Sequence, residues 1–365
     1  MTGRERFLCA LNNEKPDHLP CQVHAWMPYY LNHYLNGMDQ FEAYDFFGMD
    51  PVIYCGPNYI YDERDLANWQ VDTVDTGTDD QGYHHYVRTI TTPGGVLTEK
   101  LAENAFTPWT TEYAIKDEQT FEIWNKYVPV PVKVDWTPVI ECKRRIGDRG
   151  IVRGGCYSFG QGSPWQSFVF NYDTQQAIMD CFDKPDWIHH CLDEILKKTL
   201  RVLDLWGKCE LDLVETGGGA GSSTVLSPKL HREFCLPYDR KTHDALHAAG
   251  TKTVYHLCGG FMPLLETVVE NGTDGLETMS PVNMGGDCRM AEATERVGDK
   301  LFFVGGFDQN AGFEHGTVEN IRQQVAELHA ACPNGGYICS PSDHFFFGEH
   351  ECIRAFVQAC REATY

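Results

Sequence analysis

The residues with the most chemical content are His256 and Cys258, in the run Thr253-Val-Tyr-His-Leu-Cys-Gly-Gly260. They lie two apart at the end of an apolar, β-branched stretch that reads as a strand, so both side chains point the same way. An imidazole and a thiol then face one point. Cys339 ends a second strand-like run, Gly335-Gly-Tyr-Ile-Cys339, and a fold that joins the two strand ends supplies three N/S ligands. Three protein ligands with a fourth position open is the pattern of a catalytic Zn²⁺ site. The long separation of Cys258 from Cys339 excludes a zinc finger and demands a tertiary site. The alternative for these residues is a chance pair of ordinary buried side chains.

Four further stretches carry groups that do chemistry. Glu277, at the end of the next strand-like run, is a candidate exchangeable fourth metal ligand or, equally, an acid outside the ligand set. Glu215, ending Leu211-Asp-Leu-Val-Glu215, is a candidate for lining the pocket or for orienting His256. The segment Cys339-Ser-Pro-Ser-Asp-His-Phe-Phe-Phe-Gly348 sets Asp343 and His344 beside a proposed ligand, where they can move a proton or bind a substrate oxygen. Phe345 and the two phenylalanines after it read as the wall of an aromatic pocket, with Tyr29 and Tyr30 adding aromatic surface; ordinary loop packing is the competing reading. Thr216-Gly-Gly-Gly-Ala-Gly221 lacks the glycine order of a dinucleotide fingerprint, which excludes NAD. Its glycines suit the close approach of a large planar group, or simply a flexible loop.

The elements that must position these residues alternate. Eight strand-like runs, at Cys21–Trp26, 51–54, 151–155, 211–215, 252–255, 274–278, 301–304 and 336–339, are mostly separated by segments of helical period such as 184–205, 228–249 and 318–331. Parallel strands need such crossovers, and the count predicts an α/β fold, a (β/α)8 TIM barrel over residues 1–365 as one domain. Active sites of that architecture lie at the C-terminal strand ends, where His256, Cys258, Glu277 and Cys339 fall. Between Asn68 and Glu99, Val, Thr and Tyr alternate with polar residues and break at turn signals, which predicts an antiparallel hairpin insertion over about 68–100.

Composition narrows the partners. The 365 residues include 30 basic and 52 acidic side chains, a net charge of −22 and, with 42% hydrophobic content, enough apolar material for a large core. That charge argues against nucleic acid and anionic membrane surfaces. No run has the length of a signal peptide core or a spanning helix, so the expected location is cytoplasmic, and the 15 cysteines are expected to be reduced.

The stretch Leu226-Ser-Pro-Lys-Leu-His-Arg-Glu-Phe-Cys-Leu-Pro-Tyr238, continuing through His243 to His256-Leu-Cys-Gly259, resembles the uroporphyrinogen decarboxylase superfamily. So do Arg4-Glu-Arg-Phe-Leu-Cys-Ala-Leu-Asn12 and Pro16-Asp-His-Leu-Pro20, and the resemblance covers nearly the whole chain. Within it, His-x-Cys with a distant Cys is similar to the zinc-dependent, corrinoid-linked methyltransferases. The resemblance implies His256, Cys258 and Cys339 as zinc ligands. Decarboxylases of the superfamily follow the Pro-Asp-x-x-Pro turn with arginines that grip carboxylates; here Cys21-Gln-Val-His-Ala-Trp-Met-Pro28 contains none. Gln22, His24 and Trp26 therefore suit a smaller or less acidic substrate.

The resulting expectation is a methyltransferase that moves a methyl group between a small O-, N- or S-methylated substrate, or a thiol acceptor, and the cobalt of a corrinoid (cobalamin) held by a partner protein. Zn²⁺ is its metal. Glu277, Asp343 and His344 are its candidate catalytic groups, and His24, Trp26, Tyr29, Glu215 and Phe345 its candidate substrate contacts. The rival readings are a metal-free decarboxylase and a non-catalytic partner of a corrinoid protein.

Overall fold

A computed structural model of the chain describes residues 1–365. Seven parallel strands form one curled sheet in sequence order: β1 (Val52–Tyr54), β2 (Ile151–Gly155), β3 (Leu213–Gly217), β4 (Lys252–His256), β5 (Gly275–Thr278), β6 (Phe302–Phe307) and β7 (Tyr337–Pro341). Helices occupy the crossovers, among them Pro185–Trp206, Leu236–Ala248, Met290–Val297 and Val318–Ala331. Every residue of β3 and of β7 is buried, as expected of a parallel sheet covered on both faces.

Local sequence explains the pieces. In Pro185–Trp206 the buried positions Ile188, Cys191, Leu192, Ile195, Thr199, Val202 and Trp206 recur every three or four residues and form one apolar stripe. The helix stops at Gly207, whose φ of 59° suits a residue without Cβ.

The eighth expected strand, Cys21–Trp26, is reduced to a single parallel bridge between Cys21 and Cys339. Gln22 donates its backbone N–H to Cys339 O, and Cys339 donates to Pro20 O. Beyond that the chain leaves the ladder, and the carbonyl of Val23 accepts from the Tyr44 hydroxyl instead. Pro20 has no N–H to extend the pairing backwards, and Pro28 opens the helix Pro28–Tyr34 soon after. The sheet thus has seven strands, with one bridged residue added at the β7 edge.

The insertion is antiparallel, as expected, but longer. Strands Gln70–Thr78, His84–Thr92, Gly95–Glu103 and Pro108–Glu112 form a separate four-stranded sheet. The last strand was hidden by a turn in which Asn104 Oδ1 accepts the backbone N–H groups of Phe106 and Thr107. Ile90 and Leu97 of this sheet join a core cluster with Phe121, Trp124, Trp165 and Phe168, which fixes it to the neighbouring helices. No helix is long and apolar enough to cross a membrane.

Candidate active site

The parallel ladder sets the site. Tyr54 pairs with Arg153 in register, Val254 with Glu215, and His256 with Glu277. The C-terminal ends of β1 to β5 therefore send Tyr54, Arg153, Glu215, His256 and Glu277 into one space.

Arg153 is fully buried and organises the group. It donates from Nη1 to Glu277 Oε2 at 3.0 Å, and from Nη2 to Glu277 Oε1 at 2.8 Å and Glu215 Oε2 at 2.7 Å. The Tyr54 hydroxyl donates to the same Glu215 oxygen at 3.1 Å. Burial by itself would push Glu277 up, but the charge of Arg153, with the nearby histidines, holds it well below the usual carboxylate range. The two carboxylates in turn overcome burial and raise Arg153 above its ordinary value. Sequence reasoning missed Arg153, although an arginine inside the apolar run Ile151-Val-Arg-Gly-Gly155 was a signal: a guanidinium in a central strand must have buried anionic partners.

Two histidines face these carboxylates. His256 Nδ1 lies 3.2 Å from Glu277 Oε1 and 3.8 Å from Glu215 Oε1. Burial opposes charge on His256, but hydrogen bonds to Cys258 and Glu277 and the Glu215 charge outweigh it and raise its pKa well above the ordinary value. His24 lies 3.8 Å from Glu277 Oε1 and 3.9 Å from Glu215 Oε2, beyond hydrogen-bond length. Burial therefore dominates, and its pKa falls to about 4 despite the carboxylates. The candidate ligand atoms of His24, Glu215, His256 and Glu277 all fall within 4.8 Å of one another.

A second group sits nearer the surface. The ligand atoms of His256, Cys258 and Asp343 are also within 4.8 Å of one another, with Cys258 and Asp343 partly exposed. A third set joins His24, Asp343 and His344, and the rings of His24 and His344 are 4.7 Å apart. The glycine-rich loop closes on this region: a Cβ on Gly219 would lie 2.6 Å from Cys258 Sγ, and one on Gly218 would collide with Gln166. Those two glycines allow close packing against Cys258 and Gln166.

Several expected positions differ. Cys339 is fully buried and is not brought to His256 and Cys258. Strand alternation turns it outward, where its thiol meets Cys360 of the C-terminal helix His350–Glu362, which also contacts Cys21. Glu277, expected as a fourth ligand, spends both oxygens on Arg153 and holds Nδ1 of His256, the orienting role expected of Glu215. Trp26 and Phe345 are buried and lie in an aromatic stack with Tyr30 and Phe47. Tyr29 does lie at the rim, 4.7 Å from Phe106 and 5.7 Å from Phe347 between ring centroids.

The profile of the family described as Uroporphyrinogen decarboxylase (URO-D) matches residues 132–363. The chain belongs to this uroporphyrinogen decarboxylase family. The matched region leaves out the opening turn Pro16–Pro20, so the family likeness by sequence is less extensive than the motifs suggested. A uroporphyrinogen decarboxylase from Pseudomonas putida is 25% identical over 235 residues, 58% of this chain and 62% of that protein. One from Neisseria meningitidis is 30% identical over 162 residues, 42% of each chain. The family member thus spans about six-tenths or less of these relatives' length. In fold it is similar to a methyltransferase from Methanosarcina mazei, with a TM-score of 0.66 over 99% of both chains at 14% identity.

Proposed function

We propose that this uroporphyrinogen decarboxylase family member is a zinc-dependent methyltransferase that moves a methyl group between a small methylated substrate, or a thiol acceptor, and the cobalt of a corrinoid held by a separate protein. The observation that carries the reading is the convergence of His256 and Cys258 at the end of β4 with a carboxylate, an N/S/O donor set that suits Zn²⁺ and leaves a position open. Glu277 holds His256 at Nδ1, which leaves Nε2 as the nitrogen free for a metal. When bound, zinc supplies Lewis acidity to the heteroatom that carries the methyl group.

The chain's own groups do the rest. Arg153 offsets one of the two buried carboxylate charges and fixes Glu277. His24, held uncharged by burial, and the exposed His344 line the space beside Asp343, within reach of a substrate oxygen. Tyr29, Phe106 and Phe347 give the rim an aromatic wall. The fold likeness to a methyltransferase agrees with this reading.

The decarboxylase alternative needs free cations for several substrate carboxylates. Arg153 is already engaged by two glutamates, which disfavours it. The test is metal analysis with single-turnover assays. Protein purified without chelator is expected to contain stoichiometric zinc and to transfer methyl groups to a reduced corrinoid protein. Absence of zinc, or no transfer from methyl ethers, methylamines and thioethers and none to thiols, overturns the proposal.

A further inference from the structure

We propose that Asp343 is the third protein ligand of the strand-end metal site, making it a one-thiolate N/S/O centre, and that this centre selects an oxygen-bound methyl donor over a thiol. The ligand assignment stands without the methyl-transfer reading; the donor class rests on it.

Of the fifteen cysteines, only Cys258 falls in a candidate metal group. Cys339, within β7, faces the helix layer against Cys360. Asp343 takes its place in space. The loop that carries it is fixed on both sides by Gln309, which accepts from Ser342 N at 3.0 Å through Oε1 and donates to His344 O at 3.2 Å through Nε2. The Ser342 hydroxyl adds a bond of 3.1 Å to Phe307 O at the end of β6. A carboxylate presented by so anchored a backbone is preorganised toward His256 and Cys258.

The ligand set has a chemical consequence. Thiolate-rich sites favour soft ligands, whereas carboxylate and imidazole donors favour harder oxygen. One thiolate with one carboxylate leaves the metal harder than two thiolates would, which matches an ether oxygen better than a thiol. In the balanced step the C–O bond of R–O–CH₃ breaks, and its electron pair stays on oxygen. The methyl carbon bonds to the cobalt of a reduced corrinoid, which supplies two electrons, and the oxygen takes a proton from water.

Cobalt(II) replaces zinc as the probe. Expected is a near-ultraviolet sulfur-to-cobalt band of one-thiolate intensity that Cys258→Ser abolishes and Cys339→Ser leaves unchanged. Asp343→Asn should lower cobalt affinity by more than the roughly 10–100-fold that loss of an outer partner costs. Asp343→Cys should keep the metal and add a second thiolate band, which separates ligand loss from misfolding. Two-thiolate intensity in the unaltered protein, or unchanged affinity in Asp343→Asn, overturns the assignment. For donor class, phenol should perturb the visible cobalt bands and ethanethiol should not; a new sulfur band with ethanethiol overturns that half. A one-thiolate spectrum without methyl transfer sinks the function and the donor class but upholds the ligand set. Methyl transfer with a two-thiolate spectrum does the reverse for ligand set and function, and removes the ground for the donor class.

Discussion

Glu277 Oε1 sits 3.2 Å from Nδ1 of His256, the residue directly opposite it in the ladder between β4 and β5, and the same oxygen accepts from Arg153 at 2.8 Å. One carboxylate thus sets the ring orientation of a candidate metal ligand and ties it to the buried arginine. Removing its charge while keeping its shape, Glu277→Gln, is expected to lower zinc affinity about 10–100-fold. Competition with a chromophoric chelator measures this.

Arg153 has no exposed surface, and both of its acidic partners are also buried. Arg153→Met leaves Glu215 and Glu277 with His256 as the one counter-charge the ladder places against both. The expected loss is about 3–5 kcal/mol, the cost of breaking a buried pair from one side. Denaturant unfolding should show a lower midpoint at unchanged slope, and adding Glu277→Gln to the arginine variant should recover part of the loss.

His243 is buried between the Thr216 hydroxyl and the Asn271 carbonyl, and burial lowers its pKa to about 4 from an ordinary 6.5. With the folded value depressed, the unfolded chain binds the proton first as pH falls. Its contribution is therefore intact above about pH 6.5 and lost toward pH 4, by roughly 3 kcal/mol in full. Asp239, raised to about 7 by burial, acts in the opposite direction. The comparison of interest is with His243→Gln, which shares Asp239: its stability should fall less between pH 6.5 and 4 than that of the unaltered protein. Parallel curves would show that His243 carries no such linkage.

Phe106 reaches from the insertion to the rim, with ring centroids 4.7 Å from Tyr29, 4.9 Å from Phe346 and 5.4 Å from Phe347. Phe106→Ala removes the insertion's aromatic contact with the mouth. Aromatic pairs contribute about 0.5–1.5 kcal/mol beyond their area, so KM for the methylated substrate is expected to rise roughly two- to tenfold. Zinc content should not change, and a fall in it would mean that the insertion supports the metal site itself.

Much of the architecture was legible in local pattern. Apolar runs bounded by helical segments located β1 to β7 within about three residues, because a parallel sheet buried on both faces requires such runs. The same pattern overcounted at Cys21–Trp26: hydrophobicity shows that a segment is buried, but not whether its backbone finds a partner, and only the single bridge to Cys339 reveals that. The insertion's end at Glu112 was hidden because the Asn104 turn depends on one side chain's hydrogen bonds.

The sequence by itself determined that His256 ends a strand; β4 stops there, and Cys258, two residues on, is brought to the imidazole by the turn that follows. The sequence also placed the acids Glu215 and Glu277 on the strands before and after that of His256. Which other side chains join them was decided by tertiary structure. Cys339 has the right residue type within β7 but the wrong parity, so it faces Cys360, while Asp343, four residues on, turns back to the thiol of Cys258. Arg153 gains its role only because the curled sheet carries β2 beside β3 and within reach of β5. Separations of that kind are set by sheet curvature and register, and no local pattern encodes them.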